Sequence, residues 1–230
     1  MSFPYKKAAI FGATSGIGKA LAERFLANGI FVIAIGRRKE RLEDLVHQYG
    51  REKVQACPFD ITKLESMPNF VRNITSTQPD LDLVFLNSGI QWRMDFTKPD
   101  TVDIDKIQEE VLTNYLAPVA LAKEFLPFLL ERAKGVEAAG ILFTTSALAM
   151  VPAPPVPNYC ATKAAMHSMI LTLREQLADS GVKVLELYPP AVQTELHGEH
   201  GKDFGMPLDE FTNAVSTTLC CPSSFAKSHV

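Results

Sequence analysis

Residues 7–18 read KAAIFGATSGIG, an apolar segment that runs directly into three glycines at Gly12, Gly16 and Gly18. The apolar start is typical of a short buried strand, and the spacing of apolar residues over 21–26 predicts a helix. A strand, a glycine turn and a helix in this order let the backbone approach a diphosphate, and the helix N-terminus offers free N–H groups. The pattern favours a nucleotide site, with a simple glycine-rich βα loop as the alternative.

The rest of the chain repeats this alternation of strand and helix. Further strands are predicted at 30–35, 54–59, 81–86, 140–145 and 182–188, and further helices at about 39–49, 64–77, 104–133, from 159 to about 179, and 208–219. Such an alternation predicts an α/β fold, a doubly wound parallel sheet with helices on both faces. Because no repeat, linker or low-complexity tract interrupts it, we expect residues 1–230 to form a single domain.

The composition excludes several classes of function. The net charge of −3 offers no basic excess to attract nucleic acid or anionic lipid. No apolar run reaches the roughly 18 residues that a membrane span needs. The four cysteines have no metal-site or redox spacing, and they indicate reduced thiols in a cytoplasmic protein. His197 and His200 lie three residues apart, but no cluster with ligand spacing supports them, so no metal site is expected.

The second predicted strand ends in Gly36, Arg37 and Arg38, where an acidic residue would favour NAD by bonding the adenosine ribose. Arginines at this position would bind a 2′-phosphate, so NADP(H) is the preferred cofactor, with NAD(H) not excluded. The alternative is that Arg37 and Arg38 open the next helix as solvated charges. The helix dipole opposes arginine at a helix start, which favours phosphate binding.

Tyr159 and Lys163 are four residues apart on a predicted helix, and therefore lie on one face. A nearby ammonium favours the phenolate form and would lower the tyrosine pKa from about 10 toward the neutral range. A tyrosine tuned in this way can give a proton to a carbonyl oxygen or take one from an alcohol. The spacing alone also fits an ordinary amphipathic helix with one aromatic residue and one solvated lysine. The motifs upstream favour the catalytic interpretation over this alternative.

Taken together in their order, these motifs resemble the short-chain dehydrogenase/reductase family over about residues 7–196. The matching positions are Gly12-x-x-x-Gly16-x-Gly18, Asp60, Asn87-Ser88-Gly89, Asn114, Ser146, Tyr159-x-x-x-Lys163 and Pro189 to Thr194. Residues 190–197, PAVQTELH, also resemble the DltE-like branch of that family. The resemblance implies a Rossmann-type, NAD(P)-binding domain and a homodimer.

The resemblance also implies a role for each matching residue. Tyr159 would be the acid/base, Lys163 would tune it and bond the nicotinamide ribose, Ser146 would hold the substrate oxygen, and Asn114 would support a proton relay through water. The implied cofactor-binding residues are Gly12, Thr14, Ser15, Gly16, Ile17, Gly18, Arg37, Arg38, Asp60, Asn87, Gly89, Tyr159, Lys163, Pro189, Val192 and Thr194.

The C-terminal region departs from the family pattern. Residues 197–230 are atypical, because the stretch after the predicted helix at 208–219 is not an apolar strand, so the seventh strand of the sheet is expected to be missing or altered. The expected function is an NADP(H)-dependent oxidoreductase that interconverts a ketone or aldehyde and an alcohol, and reduces a hydrophobic, secondary-metabolite-like small molecule. The alternative is a catalytically impaired NADP-binding sensor or scaffold on the same fold.

Overall fold

Six parallel strands form one sheet in the order β3-β2-β1-β4-β5-β6 in the computed structural model. It describes residues 3–135 and 138–219, without the side chains of residues 199, 200 and 202. The strands are β1 (Lys7–Phe11), β2 (Phe31–Gly36), β3 (Val54–Pro58), β4 (Leu83–Leu86), β5 (Gly140–Thr144) and β6 (Lys183–Leu187). Their positions confirm the predicted α/β fold, and each lies within two residues of its predicted bounds.

Helices cover both faces of the sheet. They are α1 (Gly16–Ala27), α2 (Lys39–Tyr49), α3 (Met67–Thr77), α4 (Ile104–Val111), α5 (Ala117–Ala133), α6 (Pro157–Gln176) and α7 (Leu208–Leu219). One hydrophobic cluster joins α3, α5 and α6 to the sheet, and a second joins α1, α2 and α7 to the opposite face. Because both faces are covered, the central strands are apolar throughout, as in β1, where four of five residues are buried.

The middle of the sheet is where the direction of winding changes. β1 pairs with β2 on one side and with β4 on the other. The connections on the two sides leave the sheet in opposite directions, so a crevice opens at the carboxyl ends of β1 and β4. The glycine turn follows β1, and Asn87 follows β4, so both motifs lie at this crevice.

A buried carboxylate fixes the start of β1. Asp82, which is 2% exposed, accepts hydrogen bonds from the backbone N–H groups of Lys6 at 2.7 Å and Lys7 at 2.9 Å. Burial raises the pKa of Asp82, and these backbone hydrogen bonds oppose that effect. The contact joins residues that are far apart in the sequence and aligns β1 with the beginning of β4.

The helical stretch predicted over about 104–133 is present, but an unpredicted π-helical turn lies in its middle. Asp103 caps α4 by accepting from the N–H of Asp105, and a π-helical turn at Leu112–Leu116 then separates α4 from α5. The reason lies at Pro118, which has no N–H to donate to the carbonyl of Asn114 four residues earlier. The backbone widens over one turn to accommodate this position.

The C-terminal helix α7 confirms the prediction for residues 208–219, and residues 3–135 and 138–219 contain no seventh strand. The prediction that no apolar strand follows this helix concerns residues 220–230, which lie outside the described residues. Within the part of the chain that is described, no helix combines the length and apolar character needed to cross a bilayer.

Candidate active site

Tyr159 and Lys163 lie one turn apart on α6, as their spacing predicts. Both are buried, with 6% and 3% of their surface exposed. The Nζ atom of Lys163 lies 5.5 Å from the centre of the Tyr159 ring and donates a hydrogen bond of 2.9 Å to the carbonyl oxygen of Thr144 at the end of β5. The helix and the strand together therefore fix the ammonium beside the phenol.

Burial controls the protonation of this pair. It raises the pKa of Tyr159 well above the ordinary value, against the lowering effect of a hydrogen bond with Ser146. It lowers the pKa of Lys163 to about 8, against the raising effect of the Glu110 carboxylate. The direction for Tyr159 is opposite to the sequence expectation, because loss of solvent around the phenol, together with the charge of Glu110, outweighs the hydrogen bond with Ser146. At neutral pH the phenol is protonated and Lys163 is mostly charged.

Ser146 lies beside Tyr159 at the turn that follows β5. It is 7% exposed and caps the short 3₁₀ turn Ala147–Ala149, where its Oγ accepts from the N–H of Leu148 at 3.1 Å. The backbone N–H of Ala147 in turn donates to the carbonyl of Pro189 at 2.9 Å. The serine hydroxyl is therefore held by the backbone at the edge of the sheet, next to the loop that follows β6.

Asn114 lies in the π-helical turn and is clamped to the loop after β4. Its Oδ1 accepts from the N–H of Ile90 at 2.9 Å, and its Nδ2 donates to the carbonyl of Ile90 at 2.9 Å and to Oγ1 of Thr162 at 3.2 Å. A Cβ on Gly89 would lie 3.3 Å from Asn114 Oδ1 and 3.6 Å from Lys163 Nζ. Gly89 therefore lies between these two polar side chains, where a larger residue would crowd both.

Glu110 is a buried carboxylate at this site that the sequence reasoning missed. Its side chain accepts hydrogen bonds from the N–H of Trp92 at 2.9 Å and from the amide of Asn158. Burial raises the pKa of Glu110, and its two hydrogen bonds and the charge of Lys163 oppose this effect. It joins the loop after β4 to the start of α6. One signal was present in the sequence: Glu110 precedes Asn114 by four residues and shares its helix face.

The glycine turn packs directly against the loop after β4. Gly12 has a φ of +83°, and a Cβ at this position would lie 3.0 Å from the N of Ser88. A Cβ on Gly18 would collide with the carbonyl of Gly12 and the side-chain amide of Asn87. Asn87 is itself held by the hydroxyl of Thr144, which donates to its Oδ1 at 3.1 Å. Only glycine fits at these positions, which leaves bare backbone facing the crevice, as a bound diphosphate requires.

Two arginines line the outer side of the glycine turn. Arg38 donates to Oγ1 of Thr14 from Nε at 3.0 Å and from Nη2 at 2.8 Å, and it also contacts the hydroxyl of Ser15. Arg41 donates to the carbonyl of Thr14 at 3.2 Å. Arg41, one turn beyond Arg38 on α2, was missed by the sequence reasoning. The predicted Arg37 is instead one of the charges that act on Asp60.

Asp60 follows β3 at the outer end of the crevice. Its Oδ1 accepts from the N–H of Thr62 at 3.0 Å and from the hydroxyl of Thr62 at 2.8 Å. Although partial burial acts to raise it, the pKa of Asp60 is lowered by these bonds and by the charge of Arg37. The carboxylate is therefore ionised in the neutral range.

The loop after β6 reaches across to the glycine turn. Val192 is 2% exposed and pairs with Met206, and a Cβ on Gly16 would lie 3.4 Å from the side chain of Thr194. The next residue, Glu195, accepts from Arg38 at 3.0 Å and from Arg41 at 2.8 Å. The structure thus brings the residues that follow β1, β2, β4, β5 and β6 to one edge of the sheet.

The same loop contains His197, one of the two histidines for which the sequence predicts no metal site. Nδ1 of His197 lies 3.2 Å from Oε1 of Gln91, and its ring makes an edge contact with Phe204. The side chain of His200 lies outside what the structure describes. Among the described side chains, no three histidine, cysteine, aspartate or glutamate residues are grouped as metal ligands.

Comparisons with known proteins agree with this geometry. Residues 6–204 match the family described as short chain dehydrogenase. The Uncharacterized oxidoreductase DltE of Bacillus subtilis is 37% identical over 188 residues, a match that covers 82% of this chain and 72% of that protein. A Drosophila melanogaster protein named Dehydrogenase/reductase SDR family protein 7-like is 31% identical, over 84% of this chain and 59% of its own length.

Solved structures show the same fold. The 3-ketoacyl-(acyl-carrier-protein) reductase from Brucella melitensis, complexed with NADH, superimposes with a TM-score of 0.86 at 25% identity, over 97% of this chain and 94% of its own. The alcohol dehydrogenase from Thermococcus sibiricus, complexed with 5-hydroxy-NADP, gives a TM-score of 0.81 at 26% identity, over 95% and 92%. The chain belongs to the short-chain dehydrogenase family and is an oxidoreductase of that type.

Proposed function

We propose that this oxidoreductase is a cytoplasmic, NADP(H)-dependent reductase that converts the carbonyl group of a hydrophobic small molecule into an alcohol. The observation that carries the proposal is the buried arrangement of Tyr159, Lys163 and Ser146 at the carboxyl edge of the sheet. A protonated phenol, a charged lysine and a hydroxyl close together are suited to giving a proton to a carbonyl oxygen.

In the proposed reaction, the hydroxyls of Ser146 and Tyr159 hold the carbonyl oxygen of the substrate. Tyr159 gives its proton to this oxygen and becomes a phenolate, which the ammonium of Lys163 stabilises. Asn114, clamped by the backbone of Ile90, fixes the π-helical turn beside Lys163. We propose that a water at this turn returns a proton to Lys163 and Tyr159 after each turnover.

The cofactor, when bound, supplies the hydride that reduces the carbonyl carbon. We assign its diphosphate to the glycine turn at Gly12, Gly16 and Gly18, where N–H groups at the start of α1 face the crevice. The proposed partners of the adenosine half are Asp60, Asn87 and Gly89, and those of the nicotinamide half are Pro189, Val192 and Thr194. Thr14, Ser15 and Ile17 belong to the same turn.

Support for NADP(H) over NAD(H) comes from the surroundings of Thr14. Arg38 and Arg41 direct guanidinium groups to this residue, and Arg38 also contacts the hydroxyl of Ser15. Two guanidinium groups and two hydroxyls form a donor set that suits a phosphate. Arg37, which acts on Asp60, remains part of the proposed adenosine site.

An apolar substrate is favoured by the side chains around Tyr159. Leu148, Val156 and Leu196 pack with Tyr159 in a small hydrophobic cluster. Next to them, Met150 and Val151 expose 53% and 73% of their surface at the turn that follows Ser146. Apolar walls with a few convergent polar groups are typical of sites for hydrophobic ligands.

A turnover assay tests the proposal. Purified protein is mixed with NADPH or NADH and a panel of aromatic and aliphatic ketones and aldehydes, cofactor absorbance is followed, and the alcohol product is identified. We expect turnover with NADPH and apolar carbonyl compounds. Cofactor binding without turnover on any member of the panel would instead support the sensor alternative.

A further inference from the structure

We infer that Glu195 is a cofactor-specificity residue, whose carboxylate competes with the 2′-phosphate of NADP(H) for Arg38 and Arg41. The inference rests on the proposed function, because it assigns the 2′-phosphate to these arginines. It goes beyond that function by naming a residue, Glu195, that opposes binding of the phosphate. NAD(H), which has no 2′-phosphate, does not need to displace Glu195.

The geometry shows a carboxylate at the place proposed for a phosphate. Oε2 of Glu195 accepts from Arg38 at 3.0 Å and from Arg41 at 3.0 Å, and Oε1 accepts from Arg41 at 2.8 Å. The same arginines also donate to Thr14, Arg38 to its hydroxyl oxygen and Arg41 to its carbonyl oxygen. Glu195 therefore adds a charged acceptor to guanidinium groups whose other acceptors here are neutral oxygens. Among the described side chains, Glu195 is the anion that pairs with both arginines.

The carboxylate remains charged under the conditions in which the enzyme would work. Partial burial acts to raise the pKa of Glu195, but hydrogen bonds from Arg41 and Arg38 lower it below the ordinary value. Two negative groups next to the same guanidinium groups repel each other. A phosphate that binds Arg38 and Arg41 must therefore displace Glu195 or share the arginines with it.

The ion pairs are exposed enough to be exchanged. The side chains of Arg38, Arg41 and Glu195 expose 43%, 42% and 58% of their surface. Water weakens ion pairs at such positions, so a phosphate with up to two charges can replace one carboxylate. Glu195 would therefore lower the affinity for NADP(H) without preventing binding.

Glu195→Gln tests the inference, because glutamine keeps the size of the side chain and removes its charge. The dissociation constants of NADPH, NADH and adenosine 2′-monophosphate are measured by calorimetry at fixed, low ionic strength. We expect NADPH and adenosine 2′-monophosphate to bind about tenfold more tightly to the variant. This is the size of the repulsion in water between one carboxylate charge and a doubly charged phosphate, which the variant removes. The affinity for NADH should change less than twofold.

Two control variants distinguish the possible outcomes. Glu131→Gln removes an exposed carboxylate on α5 that pairs with Lys134, and it should change neither cofactor's affinity. Arg38→Ala with Arg41→Ala should weaken NADPH far more than NADH. If the double variant behaves in this way but Glu195→Gln weakens NADPH, leaves it unchanged or alters both cofactors equally, Glu195 does not compete. If the double variant does not discriminate between the cofactors, the proposed 2′-phosphate site itself is wrong.

Discussion

The hydroxyl of Tyr159 is the group on which the proposed reaction depends. Tyr159→Phe removes this proton donor and leaves the buried ring in place, so we expect turnover to fall below about a tenth of the wild-type rate. The affinity for NADPH should stay nearly the same, because the hydroxyl acts on the substrate oxygen. Turnover and calorimetric binding are measured on the same preparation, with Tyr49→Phe on α2 as the control. A variant that keeps more than a tenth of the rate would show that the acid/base assignment is wrong.

The lowered pKa of Lys163 predicts how activity depends on pH. Below a pH of about 8 Lys163 is charged and stabilises the phenolate that Tyr159 becomes after giving its proton. Above this pH the charge is lost, so kcat/KM for carbonyl reduction should be level at neutral pH and fall as the pH rises through about 8. Initial rates between pH 6 and 10 test this. A level profile up to pH 10 would contradict the role of Lys163.

Glu110 is expected to act as a positioning residue through its charge and its two hydrogen bonds. Its carboxylate raises the pKa of Lys163, so Glu110→Gln should move the alkaline fall in kcat/KM to a lower pH. It should also raise KM, because glutamine keeps one acceptor oxygen for two donors. One of the bonds from Trp92 and Asn158 is then lost, and the loop after β4 is held less firmly against α6. The exposed neighbour Glu109→Gln is the matched control. An unchanged pH midpoint in Glu110→Gln would exclude the electrostatic role.

Single residues also show what the sequence could and could not predict about the site. Tyr159 and Lys163 could be predicted because local helix geometry alone places them on one face. Arg41 and Glu195 could not, because each acquires its role from elements that meet only in the folded chain. For Glu110 the sequence offered only the helix face that it shares with Asn114. The adjacent pair Glu109 and Glu110 is an example: composition does not distinguish them, yet only Glu110 is buried.

Among the elements, β1 depends on the carboxylate of Asp82. Asp82→Ala leaves the N–H groups of Lys6 and Lys7 without their acceptor, and we expect it to lower the free energy of unfolding by about 2–3 kcal/mol. Asp80→Ala removes an exposed carboxylate that pairs with Lys7 and also interacts with Arg132, and it should lower the free energy of unfolding by less than about 1 kcal/mol. Urea denaturation of both variants at equal protein concentration measures the difference. Equal losses would show that the buried carboxylate has no special role.

The helical segment from Ile104 to Ala133 was predicted from the sequence, but the π-helical turn inside it was not. Apolar periodicity indicates a helix over the whole range, and helical structure is present. The π-helical turn was not predicted, because periodicity averages over several turns and does not register one widened turn. Pro118 was the available signal, since proline within a helix removes the hydrogen bond to the residue four positions earlier. That residue is Asn114.

For the whole molecule, we predict a homodimer formed through the face of α5 and α6. Leu173 packs in the core, so it is not available for a partner, but Leu116 and Leu171 expose 44% and 45% of their surface. Sedimentation at micromolar concentration should give twice the 25.3 kDa chain mass. Leu116→Glu with Leu171→Glu should shift the protein toward monomer, because a charge in an apolar interface is costly.

Phe96→Glu provides the control for this experiment, since Phe96, an apolar residue in a loop, exposes 62% of its surface, and its replacement should leave the dimer intact. A wild-type protein that sediments at the monomer mass would remove the dimer prediction. A stable tetramer would show that a second interface exists, which we did not predict because no seventh strand was expected at the edge of the sheet.

The strand order also determines which parts of the protein can fold first as the chain leaves the ribosome. β1, β2 and β3 are neighbours in the sheet and are complete by Pro58, so the glycine turn and both arginines can assemble early. β4 must then pair with β1, bringing Asp82 to a strand that begins 75 residues earlier. Tyr159 follows later, and Glu195 is translated after all six strands. The side chain that we propose as the phosphate's competitor is therefore synthesised only after Tyr159 and every strand of the sheet.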